Sequence, residues 1–327
     1  MGCASSSKPK SVLNGGLSPT RTKNPNMDKE AGRLHDAVKG LGTDETCIVR
    51  ILAKCTNKGR KRLLKAYKDR FNEDFTNVIE SELSGVTEQV VSALLCSPVT
   101  YDVQSLNKAF QDQDYDTVET IMLSSRSEIL VDIEEEYLTA YNKKVQDELL
   151  KMPNKDVQDI LGSLLNTDRP FINKRADKMA AKERATQLHK DHDLLSLLCE
   201  PLSRNQLRET LDAFQELYRV SLDQFIEDNY RTLSQRAQSI LKDCVLHIEN
   251  PPLYFAKKIK NANETQLLRL LVSRSEIDLY YIKKEYLRWY STQLHEAIKK
   301  QCGRNYANLL TVILELRGQY SESAKKR

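Results

Sequence analysis

The chain has 327 residues, 40% of them hydrophobic and 29% charged, which is enough apolar content for a sizeable buried core. Its 50 basic and 46 acidic residues leave a formal net charge of +4; no apolar run is long enough to span a bilayer, and the first residues lack the apolar core of a secretory signal. The seven cysteines, at 3, 47, 55, 96, 199, 244 and 302, stand singly, without the close spacing of a zinc site or a bridge framework, so a reduced cytosolic setting is expected.

The first six residues, Met1-Gly2-Cys3-Ala4-Ser5-Ser6, fit an acylation signal: Gly2 becomes the N-terminus once Met1 is removed, Ser6 holds the hydroxyl position for myristate, and Cys3 offers a thiol for palmitate. One myristoyl chain gives only marginal binding, with an association constant of about 10⁴ M⁻¹, and a second signal makes attachment stable. Residues 1–27 also carry Lys8, Lys10, Arg21 and Lys23 and no acid. They account for the whole net charge, so residues 28–327 balance at 46 basic (50 − 4) against 46 acidic. Each cation held near an acidic leaflet contributes about 1 kcal/mol. The balanced remainder predicts no basic face of the kind nucleic acid requires, and no nucleic-acid partner is expected. The Gly15-Gly16 to Pro25 stretch, with Ser18-Pro19, reads as a linker.

Next comes Val38-Lys39-Gly40-Leu41-Gly42-Thr43-Asp44-Glu45, followed forty residues after Gly42 by Ser81-Glu82-Leu83-Ser84-Gly85. A glycine-rich bend between helices can turn several carbonyls toward one point, and a carboxylate from a second connection can close the site around a hard cation such as calcium. Alone, Gly-x-Gly-Thr more often serves a turn with positive φ.

The downstream pattern gives it weight. Four segments, Arg50–Leu95, Glu119–Leu165, Leu194–Leu241 and Leu268–Leu314, repeat one unit of about seventy residues. Each has a short apolar helix, a polar break, and a longer charged helix with an aromatic in register: Tyr67, Tyr137, Phe214 and Tyr286, in steps of 70, 77 and 72 residues. Apolar residues recur at helical spacing, as in Leu63, Leu64, Tyr67 and Phe71, with no strand alternation, so the fold class is all-α.

Lys39-Gly40-Leu41-Gly42-Thr43-Asp44-Glu45, Ser81-Glu82-Leu83-Ser84-Gly85 and Leu271-Val272-Ser273-Arg274-Ser275-Glu276-Ile277-Asp278-Leu279 together resemble the annexin family. The resemblance covers residues 28 to 317. It implies four repeats of five helices in a curved disc, at 28–98, 99–170, 171–248 and 249–317, between a tail (1–27) and a C-terminal extension (318–327). It also implies that calcium bridges protein oxygens to acidic phospholipid. The main ion would lie on the carbonyls of Val38, Gly40 and Gly42 and the carboxylate of Glu82. Secondary ions would take the Thr43 carbonyl with Glu45, and the Leu83 carbonyl with Glu88. Asp102 and Arg126, with Arg274, match a hydrophilic pair of the family, read here as a buried ion network that fixes repeat packing.

The other repeats depart from the calcium pattern. Repeat two has Ala109-Phe110-Gln111-Asp112-Gln113-Asp114-Tyr115-Asp116, one residue short, with Met152 near the carboxylate position. Repeat three has Leu188-His189-Lys190-Asp191-His192-Asp193, with Asp228 near that position; repeat four has Ile259-Lys260-Asn261-Ala262-Asn263-Glu264, with Gln301 there. Losing glycine geometry and charge together removes a hard-cation site, so one main calcium site is expected. The arginines at 126 and 274 are replaced by Cys55 and Leu202 in repeats one and three, which predicts different polar contacts between repeats.

His189, His192 and Cys199 read as solvated residues rather than a metal site, and the aromatics around Trp289 as packing. No nucleophile with a positioned base and no phosphate-binding fingerprint occurs, so no enzyme is expected. The reading is a lipid-anchored, calcium-modulated binder of acidic membranes on the cytoplasmic face, with lateral self-association open. The alternative is a calcium-independent interaction scaffold.

Overall fold

Asn26 sets the entry to the first helix: its side-chain oxygen accepts from the Lys29 amide at 3.1 Å, satisfying one of the amides that a helix start leaves without a partner. The computed structural model describes residues 26–39, 42–167 and 175–317. Among these residues the regular structure is helical throughout, in four groups of five. The first group is α1 (Met27–Val38), α2 (Glu45–Lys54), α3 (Asn57–Phe71), α4 (Phe75–Glu82) and α5 (Gly85–Leu95). The second is α6 (Pro98–Asp112), α7 (Tyr115–Ser124), α8 (Ser127–Tyr141), α9 (Val145–Leu149) and α10 (Lys155–Leu165). The third is α11 (Lys178–Asp191), α12 (Leu194–Cys199), α13 (Arg204–Tyr218), α14 (Leu222–Asn229) and α15 (Gln235–Glu249). The fourth is α16 (Pro251–Asn261), α17 (Glu264–Arg274), α18 (Leu279–Tyr290), α19 (Leu294–Gln301) and α20 (Arg304–Arg317).

The aromatic register organises each repeat. Tyr67, Tyr137, Phe214 and Tyr286 are all fully buried on the third helix of their group. Five residues after each, Asn72, Asn142, Arg219 and Ser291 adopt left-handed φ of 53°, 52°, 58° and 49°, ending the helix, and three residues later a buried Phe75, Val145, Leu222 or Leu294 starts the next. Only Asn among these commonly accepts that conformation, so the turn is imposed by packing on both sides more than by local preference. Replacing one such core aromatic by alanine typically costs 3–5 kcal/mol.

Two compact units form. One comprises residues up to Leu95 with Leu270–Leu287 and the chain from Thr292 on; within it α1 packs on α3, α2 on both α5 and α20, and α19 on α20. The other comprises Cys96–Arg269 with Arg288–Ser291; there α11 packs on α13, α6 on α7 and α8, and α15 on α14 and α16 around one continuous core.

Seven residues before the register aromatic, the second, third and fourth repeats bury Leu130, Leu207 and Leu279, but the first buries Arg60. Its guanidinium donates to the carbonyls of Cys55 at 2.7 Å and Leu52 at 3.4 Å, and pairs with Glu276 at 3.0 Å. Arg317 donates to the same Cys55 carbonyl. Cations at a helix C-terminus oppose its dipole favourably, so these two arginines take over helix-end capping beside Cys55. The expected difference in polar contacts takes this form.

Candidate functional site

The second helix of every repeat begins alike. Asp44, Asp114, Asp193 and Asn263 cap it, accepting from the amides of Cys47 (2.9 Å), Thr117 (3.2 Å), Ser196 (2.9 Å) and Gln266 (2.9 Å). The difference lies in what precedes the cap. In the first repeat the Asp44 amide returns to the Ala37 carbonyl at 2.9 Å, seven residues back; in the second, the Asp114 amide returns to Ala109 at 2.8 Å, five residues back. The turn closed by this bond is therefore two residues shorter in repeat two, where the residue spacing suggests one, and Gln113 turns the chain by itself at φ 57°. His192 does the same in repeat three.

Those additional residues belong to the connection between α1 and α2. Val38 is the buried last residue of α1, and Gly42 sits at φ 102° with nothing within 4 Å of where a Cβ would be, so the backbone conformation alone requires glycine. Among the described residues no hydrogen bond falls on the carbonyls of Val38 or Gly42. Gly40 lies outside the described residues, as do Gly2 and Cys3. The Thr43 carbonyl accepts from the Glu45 amide at 3.0 Å, and the Glu45 carboxylate accepts from Asn305 at 3.4 Å.

Glu82 is the exposed last residue of α4, and its carboxylate has no ion pair or hydrogen bond among the described residues. Leu83 follows as the buried C-cap, Gly85 opens α5 at φ 62°, and Glu88 lies half-buried in the first turn of α5, where the helix dipole favours an acid. The helices that follow the two connections, α2 and α5, pack on each other. One free carboxylate with unpaired carbonyls suits a hard cation, and no cluster of three or more acidic, His or Cys side chains occurs among the described residues.

The protein's own side chains occupy the corresponding groups elsewhere. In repeat two Asp114 accepts from both the hydroxyl and amide of Thr117 and from Gln266, while Gln158 donates to the Met152 carbonyl at 2.6 Å. In repeat three the Tyr230 hydroxyl donates to the His192 carbonyl at 3.0 Å and accepts from the Leu194 amide at 2.6 Å. Helix register places Asn229, not Asp228, at the end of α14; Asp228 lies one residue earlier, paired with Arg231 at 2.9 Å and Gln224 at 2.9 Å. In repeat four Asn263 and Gln266 form a reciprocal capping box, and Gln301 ends α19.

Known proteins with similar sequences and folds are annexins. The annexin family profile matches residues 29–94 and 253–313, which contain both repeat-one connections. Mouse annexin A13 is 28% identical over 301 residues, covering 88% of this chain and 94% of that one. Chicken annexin A6 is 28% identical over 319 residues; the match takes in 89% of this chain but only 46% of that longer protein. The solved structure of annexin III superposes with a TM-score of 0.80 at 26% identity, over 94% of this chain and 99% of that one. The chain is similar to annexins over about nine-tenths of its length. Annexins are non-enzymatic proteins that bind calcium and acidic phospholipid membranes peripherally, and no described helix of this chain is long and apolar enough to cross a membrane.

Other expectations are refined by the structure. Asp102 pairs with Arg269 at 3.4 Å, Arg126 is the exposed N-cap residue of α8, and Arg274 forks onto Asp278 at 2.8 and 2.7 Å. Arg269 and Asp278 are buried, as a structural ion network requires. His189 stacks on Tyr218 at 3.8 Å between ring centroids and His192 lies against Phe225 at 5.9 Å. Trp289 is not core packing: it is 55% exposed, with the Lys257 ammonium 5.7 Å from its ring centroid. The balanced total conceals local asymmetry: α3 carries seven cations against one acid while α8 carries five acids and no cation.

Proposed function

We propose that this annexin-like chain is a peripheral membrane protein whose repeat-one connections hold its main calcium ion. The carbonyls of Val38, Gly40 and Gly42 and the carboxylate of Glu82 are the ligands, with Thr43 and Glu45, and Leu83 and Glu88, as flanking positions. The ion then accepts acidic phospholipid oxygens in its open positions, since calcium takes six to eight oxygens and the protein supplies fewer.

The observation that carries this reading is a contrast: among the described residues Glu82 is exposed with no ion pair or hydrogen bond and the Val38 and Gly42 carbonyls accept none, whereas the Met152 and His192 carbonyls of repeats two and three are engaged by Gln158 and Tyr230. One site gives weak attachment, because membrane affinity built from bridges grows with their number. Myristate on Gly2 and palmitate on Cys3, with the tail's four cations, supply the remaining attachment, on the cytoplasmic face, and calcium modulates it. Sedimentation of unacylated protein with phosphatidylserine vesicles tests the calcium part: more protein pellets with calcium than with chelator. Equal pelleting in both supports the calcium-independent scaffold.

A further inference from the structure

Four exposed cations on α3, Lys58, Lys61, Arg62 and Lys65, fall at i, i+3, i+4 and i+7 and so share one helix face. The opposite face is the buried one, with Gly59, Arg60, Leu63 and Tyr67. Among the described residues none of the four makes an ion pair or hydrogen bond. Like charges at these spacings repel and destabilise a helix. The fold does not ask for them. At the same register the second repeat places Glu128, Val131, Asp132 and Glu135, the third Asn205, Arg208, Glu209 and Asp212, and the fourth Ile277, Tyr280, Tyr281 and Lys284.

The place where the described fold begins says which partner suits this stripe. Arg70, on the last turn of α3, donates to the Asp28 carbonyl at 2.9 Å and so ties α3 to the first turn of α1. Met27 and Asp28 line one open groove with Arg62, Lys65, Ala66, Asp69 and Arg70. The first described helix therefore begins beside the stripe, and the sequence that leads into it carries four cations and the expected acylation signal. We infer that the α3 face is a second, calcium-independent membrane contact, which lays Lys58, Lys61, Arg62 and Lys65 on the acidic leaflet that holds the tail. A leaflet is diffuse, mobile and anionic, and needs neither a pocket nor matched donors; a straight row of unpaired cations fits it better than it fits a shaped protein surface. This deepens the membrane reading proposed above and does not depend on the calcium site.

The test uses the full chain without acylation, in chelator, with vesicles of equal phosphatidylserine and phosphatidylcholine. Each cation near such a surface strengthens binding by roughly fivefold, so the variant with Lys58→Gln, Lys61→Gln, Arg62→Gln and Lys65→Gln should bind at least about tenfold more weakly. Glutamine keeps helix propensity and relieves repulsion, so the helix should survive. A companion variant, Lys58→Arg, Lys61→Arg and Lys65→Arg, keeps the charge and should bind as the parent does. Parent binding should fall steeply with added salt and be absent on phosphatidylcholine alone. The glutamine variant should retain the increment that calcium adds, so a failed calcium site and a failed stripe give different results. Undiminished binding of the glutamine variant in chelator overturns the inference. So does a parent that prefers oligouridylate to vesicles, or one that self-associates without lipid through the same four residues, since either outcome assigns the stripe to another partner.

Discussion

The Tyr230 hydroxyl donates a 3.0 Å hydrogen bond to the His192 carbonyl and accepts a 2.6 Å bond from the Leu194 amide, closing the repeat-three connection with a side chain from the end of α14. Tyr230→Phe keeps the ring and removes both bonds. The buried Leu194 amide then lacks its side-chain partner, so urea unfolding should show a loss of about 1–3 kcal/mol. No calcium site should appear in its place, because Asn229 stands where a carboxylate would be needed; calorimetry of Tyr230→Phe should show no more bound calcium than the parent.

Glu148, buried at the end of α9, is held by Lys151 at 2.8 Å and Lys143 at 3.6 Å. The hydrogen bond from Lys151 is the main cause of a pKa below the usual glutamate range, with burial opposing it. A depressed folded pKa means stability that is present above the unfolded value and lost as pH falls through the folded one. Both lysines are largely exposed, which limits the effect to about 1 kcal/mol. Glu148→Gln should lower stability by that amount at neutral pH, and the two melting curves should converge in acid. Parallel curves down to low pH would show that the ion pairs contribute nothing.

The helical array was legible because burial at Tyr67, Tyr137, Phe214 and Tyr286 demands an aromatic at one place in each repeat, and seventy-odd residues leave room for the same five helices. The left-handed residues five positions on were not, since Arg219 and Ser291 carry no local signal for positive φ. Nor was Arg60, a buried cation where the other repeats have leucine: its carboxylate partner, Glu276, is 216 residues away. The glycine-rich repeat-one connection was legible as a motif, but its length relative to repeat two depends on which amide closes on which carbonyl, and residue spacing does not encode that. Tyr230 was missed because a tyrosine after a helix end gives no hint that its hydroxyl will bond to a backbone carbonyl 38 residues earlier. The α3 stripe was hidden by averaging, although Lys58, Lys61, Arg62 and Lys65 show helical spacing in the sequence.

The tail prediction concerns Gly2, the myristate acceptor of the proposed anchor once Met1 is removed. Gly2→Ala blocks that acylation, and one calcium site with the tail's cations gives too few contacts for stable attachment. Fractionation of cells should find this variant mainly in the cytosolic fraction even when calcium is high. A variant that stays fully with membranes would remove the lipid anchor from the account.

Glu82 is the one carboxylate proposed for the main calcium ion, and its exposure predicts that Glu82→Gln will change stability by less than about 0.5 kcal/mol. The backbone loop stays as it is while the charge that attracts the divalent ion is gone. The decisive measurement is calcium-dependent binding of unacylated Glu82→Gln protein to phosphatidylserine vesicles, beside the parent and a Gln113→Gly control in the short repeat-two connection. The account predicts that the calcium-dependent part nearly vanishes for Glu82→Gln and is unchanged for Gln113→Gly; calcium-dependent binding by Glu82→Gln equal to that of the parent would contradict it.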